Sequence, residues 1–294
     1  MIMFYTHYVT FGDFPEEYKD IEKARAIIVP VPLEETSTYL SGTRFAPDEV
    51  ILASRALEWF DESLEFEPFR KGIATIASPL WERGNVTSCL SQLEETVEEI
   101  IRQGKFPIVI GGEHTITFAD VRGVLKHYSD LSCLIFDAHA DLRSSYDRSS
   151  FSHACVTRRI SELDIESIVE VGIRSLSLEE NDYINSTDKV RVIKARDFLR
   201  DPKFFIENIS SMLSDNVFIS IDMDVFDPSL VPAVGTPEPG GLLWYNVIDI
   251  LEEVFAHKNV VGCDVVELLW MDKTSCFITA RLIYKLIAYK FFYE

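Results

Sequence analysis

The sequence predicts an α/β fold built on a parallel sheet, one domain spanning residues 1–294, and three observations carry that expectation. Short β-rich apolar runs alternate with helical patterns along the whole chain, with no repeat and no low-complexity linker between them. Hydrophobic residues make up 47% of the 294, enough for a substantial core. Finally, the chemically unusual side chains stand where the apolar runs end, and parallel sheets bind ligands beyond the carboxyl ends of their strands.

By the criterion of short apolar runs bounded by turn signals, about eight strands are expected. They are "AIIVPV" near 26–31, "IATIAS" near 73–78, "FPIVIG" near 106–111, "CLIFDA" near 133–138, "SIVEVG" near 167–172, "VRVIKA" near 190–195, "VFISID" near 217–222 and "VVGCDVVEL" near 260–268. Segments with a helical period lie between them, among them "SQLEETVEEIIRQG" and "YNVIDILEEVFAH". The apolar tail "ITARLIYKLIAYKFFYE" is interrupted by Arg281, Lys285 and Lys290, and therefore reads as a packing helix and not as a membrane span.

Composition narrows the partners. Lys and Arg number 28 against 48 Asp and Glu, a formal charge of −20, which argues against nucleic acid and against an anionic membrane surface. A small cation would be welcome to such a chain, although a solvated acidic surface accounts for most of the excess. The five cysteines, Cys89, Cys133, Cys155, Cys263 and Cys276, are scattered and odd in number, as expected of reduced thiols in a cytoplasmic protein. The start, "MIMFYTHYVTFGDFPEEY", has no basic segment followed by an apolar run, so no secretion signal is expected.

The stretch "CLIFDAHADL" begins as a buried strand and then places Asp137, His139 and Asp141 at alternate positions. Side chains two apart on an extended backbone project to the same side, so the three can converge on one point. Unpaired buried charges cost several kcal/mol, about 5 or more, unless a partner or a metal offsets them. A divalent cation would do so; a solvated loop in which Asp and His cap the next helix is the other reading of an isolated D-x-H-x-D. The rest of the chain adds weight to the first. "IVIGGEHT" delivers Glu113 and His114, "ISIDMDVFDP" delivers Asp222 and Asp224, and "DVVELL" delivers Glu267, so four strands end in ligand or acid–base groups on one edge.

In order and spacing, "GGEHT", "DAHAD" and "SIDMDVFDP" resemble the arginase/agmatinase (ureohydrolase) family, and the likeness runs from "VPVPLEETSTYLSGTRFAP" to the C-terminal helix. The resemblance implies a three-layer α/β/α sandwich around an eight-stranded, mostly parallel sheet, with two Mn²⁺ ions as cofactor. It implies that His114 binds the first ion with Asp137, Asp141 and Asp222, and that His139 and Asp224 bind the second, Asp137 and Asp222 bridging both. Carboxylates with one imidazole per ion suit Mn²⁺, and the absence of cysteine from the set argues against structural zinc. In such enzymes a metal-bridging hydroxide attacks the guanidinium carbon and yields urea and an amine. The resemblance assigns Asp141 to accept a hydrogen bond or proton from that nucleophile, His153 in "FSHACV" to protonate the leaving amine, and Glu267 to anchor the guanidinium. From spacing alone His153 is equally a helix cap. His7, His127 and His257 have no such company and read as ordinary histidines.

Within the family, the loop "PAVGTPEPGGL" with Glu238 looks like an agmatinase. Residues that in arginases hold the α-amino and α-carboxylate groups are missing from "LRSSYDRSSFSH" and from "GIRSLSLEE", where Ser177 replaces an Asp. The expected substrate is therefore a small cationic guanidino compound, agmatine, hydrolysed to putrescine and urea in polyamine synthesis. The segment Leu268, Leu269 and Trp270 departs from the family pattern and is expected to alter the pocket wall. Other ω-guanidino acids or amines, an arginase-like activity, and a non-catalytic metal-binding homologue are the alternatives. By the same resemblance the chain would form a homo-oligomer, a trimer or hexamer.

Overall fold

The computed structural model describes residues 4–294; residues 1–3, the beginning of the segment read above for a secretion signal, lie outside the described residues. All eight expected strands form: β1 (Ala26–Val31), β2 (Ile73–Thr75), β3 (Phe106–Gly111), β4 (Leu131–Phe136), β5 (Ser167–Ile173), β6 (Val190–Lys194), β7 (Asn216–Asp222) and β8 (Asn259–Val266). They make one sheet in the order β2-β1-β3-β8-β7-β4-β5-β6, and every pairing is parallel. A parallel pair needs a crossover, and the helices α1 (Ala46–Ser54), α2 (Val86–Arg102), α3 (Thr117–Leu125), α4 (Val156–Ser161), α5 (Leu178–Ser186), α6 (Ala195–Arg200), α7 (Pro202–Ile209), α8 (Trp244–His257) and α9 (Lys273–Phe292) provide the cover.

Strand periodicity sorts the core into two layers. Ile28, Ile108, Leu134, Phe136, Ile219 and Ile221 pack on one face with α1, α7, α8 and α9, while Ile27, Val29, Val109, Cys133, Ile135 and Phe218 pack on the other with α2, α3 and α4. The arrangement is the expected three-layer sandwich. Because both faces are covered, β1, β3 and β4 are buried at every position, which is why they read as continuous apolar runs.

Element boundaries depart from the sequence expectation where side chains or backbone intervene. Helix α2 starts five residues earlier than its apolar pattern, at Val86, because Asn85 caps it by accepting from Ser88 N at 3.0 Å. Strand β8 stops at Val266 and not at Leu268, since Glu267 adopts φ 63, a left-handed conformation that no strand continues through. All five cysteines are free and buried. Among the described residues no helix is long and apolar enough to cross a membrane.

The charged residues of the tail do not all face water. In α9, Arg281 reaches Glu62 at 2.7 Å on the surface, but Lys285 is 4% exposed and donates to Asp61 Oδ1 at 2.8 Å and to Ser63 Oγ at 2.5 Å. Burial alone would raise the Asp61 carboxyl; Lys285 together with donors from Ser63 and Leu64 outweighs it and holds the group below its ordinary value. Replacing Lys285 with Met should leave a buried, unpaired carboxylate and cost about 3–5 kcal/mol at neutral pH, read from chemical denaturation. Because the folded pKa of Asp61 is depressed, its contribution is complete above the unfolded value, about 4, and is lost as pH falls through the folded value. The difference between wild type and Lys285→Met should therefore shrink in acid; a constant difference would show that the ion pair is not its source.

Candidate functional site

The four strands that end in acids and histidines are neighbours. The central order β3-β8-β7-β4 brings Glu113 and His114, Glu267, Asp222 and Asp224, and Asp137, His139 and Asp141 to one edge of the sheet, although they come from distant parts of the chain. Two donor sets result: His114, Asp137 and Asp141, and Asp137, His139 and Asp224, each with ligand atoms within 4.8 Å of one another. His114 Nδ1 lies 3.1 Å from Asp137 Oδ2, 3.2 Å from Asp141 Oδ2 and 3.4 Å from Asp222 Oδ2. His139 Nδ1 lies 2.9 Å from Asp224 Oδ2 and 3.6 Å from Asp137 Oδ1. Asp137 thus belongs to both sets, and Asp222 stands beside the first.

The carboxylates are oriented by backbone N–H groups. His139 N donates to Asp137 Oδ1 at 2.6 Å, Asp224 N to Asp222 Oδ1 at 2.8 Å, Ala138 N to Asp224 Oδ1 at 2.9 Å and His114 N to Glu267 Oε1 at 2.7 Å. In each acid one oxygen is held and the other is left over. Asp137 Oδ2 and His114 Nδ1, both buried, have no hydrogen-bond partner, an arrangement that would be costly unless a further group binds there.

Behind His114, Ser220 and Asp264 fix its tautomer. Ser220 Oγ donates to Asp264 Oδ1 at 2.6 Å, so at 3.1 Å from His114 Nε2 it accepts, which puts the ring proton on Nε2 and a lone pair on Nδ1. That lone pair is what a cation requires. The donor set of carboxylates and imidazoles, with two buried atoms unsatisfied, fits a divalent cation of the Mn²⁺ class.

Without a cation the cluster retains protons. Burial opposes charge on both imidazoles, yet the facing carboxylates dominate: His114 is raised well above its ordinary value and His139 is pushed up to about 12. Burial and the neighbouring charges of Asp224 and Asp137 raise Asp222, and burial with Asp137 lifts Asp141 to about 6. Burial would raise Asp137 too, but the facing imidazoles of His114 and His139 hold it below the usual carboxylate range. Glu267, mainly through burial, is pushed up to about 8.

A cavity of about 240 Å³ opens onto this edge, lined by His139, Asp141, Asp222, Asp224, His153 and Glu267, and further out by Ser37, Thr38, Leu40, Arg143, Tyr146, Ser177, Glu180 and Thr236. His153 caps no helix: the N-cap of α4 is Cys155, and the imidazole instead lines the cavity. The eight residues expected as metal ligands or acid–base groups therefore lie on the cavity wall or, as with His114 and Asp137, immediately behind it. The altered segment does not line the cavity as expected. Leu268 and Leu269 are buried in the core, and Trp270 packs on Phe45 outside it. Glu238 also stands off the wall, contributing its carbonyl to Arg174 at 2.8 Å.

A match to the model of the arginase family covers residues 24–292. The chain belongs to the arginase family. Among curated relatives, the N(1)-aminopropylagmatine ureohydrolase of Synechocystis sp. is 37% identical over 90% of this chain and 89% of its own length. The agmatinase of Pyrococcus horikoshii is 35% identical over 91% of this chain and 93% of its own. Among solved structures, the agmatine ureohydrolase of Thermoplasma volcanium superposes with a TM-score of 0.85 at 34% identity, covering 94% of this chain and 92% of that one. The chain is accordingly a ureohydrolase of the agmatinase type.

Sequence reasoning missed four residues of this arginase-family site: Thr36, Arg174, Ser220 and Asp264. Ser220 and Asp264 did leave a signal, since each interrupts an otherwise apolar strand. Arg174 is spent on backbone, donating to the carbonyls of Asp224 at 2.6 Å and Glu238 at 2.8 Å and so tying together the loops after β7 and before α8. Uptake of a divalent cation should expel the protons held by His114, His139 and Asp222, so affinity should rise with pH. Calorimetric titration in buffers of different ionisation enthalpy should give buffer-dependent heats that report proton release; heats independent of buffer would contradict the proton-retaining cluster.

Proposed function

We propose that this ureohydrolase, acting as a single domain over residues 1–294, uses two Mn²⁺ ions to release urea from an agmatine-type amine, agmatine itself or its N(1)-aminopropyl derivative. The observation that carries the proposal is the convergence of both donor sets, His153 and Glu267 on one cavity. His114, Asp137, Asp141 and Asp222 would hold the first ion, and His139 and Asp224 the second, with Asp137 and Asp222 shared. When bound, such a pair lowers the pKa of water toward neutrality and supplies the nucleophile for the guanidinium carbon.

The remaining work falls to the chain. Glu267, its Oε1 held by His114 N, has Oε2 left to receive a guanidinium N–H, a charge-assisted bond that fixes orientation as well as charge. Asp141 stands beside His114 with its carboxylate on the cavity wall, placed to accept a proton from the attacking water. His153 supplies the proton that the departing amine needs. The names of the relatives support an amine substrate, and so does the outer wall. Ser177 Oγ caps α5 in a reciprocal pair with Glu180, and Arg143 is turned toward Glu180 at 4.0 Å and over the Tyr146 ring at 5.2 Å, so this part of the wall presents a buried carboxylate whose nearest donors already face it. The same reading places a trimer or hexamer in the cytoplasm, with the amine product feeding polyamine synthesis.

Urea release measured with Mn²⁺ supplied and a panel of agmatine, N(1)-aminopropylagmatine, arginine and 4-guanidinobutanoate tests this. One of the two amines should exceed arginine in kcat/KM by about 100-fold or more, the factor that a few kcal/mol of unpaired buried charge represents. Preference for either carboxylate would overturn the amine reading and make Arg143 its partner; no urea from any member would leave a binding protein. Separately, Glu267→Gln should keep its metal content and lose more than about tenfold in kcat/KM, since one charged partner is worth about 2–4 kcal/mol. Unchanged kinetics would remove Glu267 from the guanidinium site.

A further inference from the structure

Glu113 is adjacent to His114 and fully buried, yet it belongs to neither donor set. Its carboxylate is turned away toward the loop after β1. Oε2 accepts from Glu35 N and Thr36 N, both at 2.6 Å, and Oε1 accepts from Thr36 Oγ1 at 2.9 Å and Thr115 Oγ1 at 2.7 Å. Thr36 Oγ1 in turn stands 3.1 Å from His153 N and 3.2 Å from His153 Nδ1. The loop after β1 is thereby fastened between the end of β3 and the turn that opens α4.

Hydrogen-bond capacity decides which way this chain runs. A hydroxyl has one proton, and that of Thr36 goes to Glu113, whose carboxylate oxygens only accept. What Thr36 Oγ1 has left are lone pairs: one takes the His153 backbone N–H, and the other takes a proton from Nδ1 at 3.2 Å, the nearer of the two hydroxyl oxygens that Nδ1 faces, Ser152 Oγ lying at 3.4 Å. The neutral imidazole is therefore the Nδ1–H tautomer. Nε2 makes no hydrogen bond to the described residues, and the ring lines the cavity.

We infer that Thr36 and Glu113 are positioning residues for proton transfer, forming a relay Glu113–Thr36–His153 that fixes the imidazole with Nδ1 protonated and Nε2 free to exchange a proton with the reacting nitrogen. The inference rests on the proton-donor role proposed for His153. In the step it serves, His153 first takes a proton from solvent on Nε2; the C–N bond then breaks with its electron pair going to the leaving nitrogen, which takes that Nε2 proton, while the other proton stays on Nδ1, hydrogen-bonded to Thr36 Oγ1, and His153 returns to the neutral Nδ1–H form. Thr36 holds the ring and tautomer, and Glu113, by taking the hydroxyl proton, makes Thr36 an acceptor.

A double-mutant cycle on the manganese-loaded, full-length protein tests it, with kcat and KM read for the best substrate of the panel above. Thr36→Val should lower kcat by about tenfold or more, leave KM and metal content unchanged, and raise the solvent deuterium isotope effect on kcat as proton transfer becomes slower. Thr36→Ser should return kcat to within about twofold, because it restores the hydroxyl. In the His153→Ala background Thr36→Val should cost nothing further, since it acts only through the imidazole. Additive losses would overturn the relay while leaving His153 in its role; an unchanged kcat for His153→Ala alone would remove that role and the relay with it. A readout independent of turnover is the ¹⁵N spectrum of the histidine rings in the full chain. The His153 signal, identified by its loss in His153→Ala, should report the Nδ1–H tautomer in wild type and Thr36→Ser but not in Thr36→Val, and an Nε2–H tautomer in wild type would refute the inference.

Discussion

Everything at this edge of the sheet depends on the way each buried acid is divided between a backbone N–H and an oxygen left over. Asp137, Asp222, Asp224 and Glu267 each surrender one oxygen to a backbone N–H and keep the other. A carboxylate with both oxygens satisfied would bind nothing, and one with neither satisfied would swing between rotamers and carry the full cost of burial. Holding one oxygen fixes the direction of the second. The four donors are themselves strand-end amides, and two of the bonds cross between adjacent strands: Ala138 N after β4 reaches Asp224 after β7, and His114 N after β3 reaches Glu267 after β8. The sheet order is thus written into the site, since no other neighbour relation would bring those amides to those acids.

That division demands unusual backbone. Asp141 has φ 48 and Glu267 φ 63, left-handed conformations uncommon for residues other than glycine, and both lie where the chain turns off its strand into the cavity wall. The surroundings hold them there. Glu267 N donates to Gly112 O at 2.8 Å, and the Asp141 carbonyl accepts from Arg158 N at 3.1 Å in α4. Arg174 works in the same sense. A guanidinium close to so many acids would be expected to neutralise one, yet it is given to five main-chain carbonyls and leaves the carboxylates their charge. Beyond the two imidazoles, the compensation open to Asp137, Asp222 and Asp224 is then a retained proton, as on Asp222, or a cation from outside.

What was legible in the sequence follows from period and from place. Strands buried on both faces announce themselves as apolar runs, and residues at alternate positions beyond such a run, as in Asp137, His139 and Asp141, declare a shared direction before any contact is known. Strand order was not legible from the runs themselves. Nothing in "GGEHT" says that its neighbour in the sheet is "DVVEL", more than a hundred residues away, and so nothing placed Gly112 and Glu267 together. For the same reason Thr36 was invisible: its partners Glu113 and His153 come from two other parts of the chain. Lys285 shows a different limit. In the sequence it interrupts an apolar helix as a surface lysine would, and only the arrival of Asp61 from a loop makes the position buried and paired.

The two donor sets differ in depth, and the difference has a physical origin. His114 is fully buried, follows a glycine-rich strand end, and is locked at Nε2 by Ser220 and Asp264; Asp120 stands behind them with neither of its oxygens bonded, its carboxyl raised by burial and by the nearby Asp264 charge. His139 has 24% of its side chain exposed and lines the cavity, as His114 does not. The inner imidazole is therefore set by the bonded chain of Ser220 and Asp264 and the outer one chiefly by Asp224 and Asp137. A site that must be rigid where its charge is stored and accessible where a ligand enters has reason to be built in this order, and the asymmetry follows from what covers each ring. Both imidazoles lie three residues beyond their strands, but His114 after β3 opens a short helical turn beneath the loop that Glu113 fastens, whereas His139 after β4 stands at the cavity mouth.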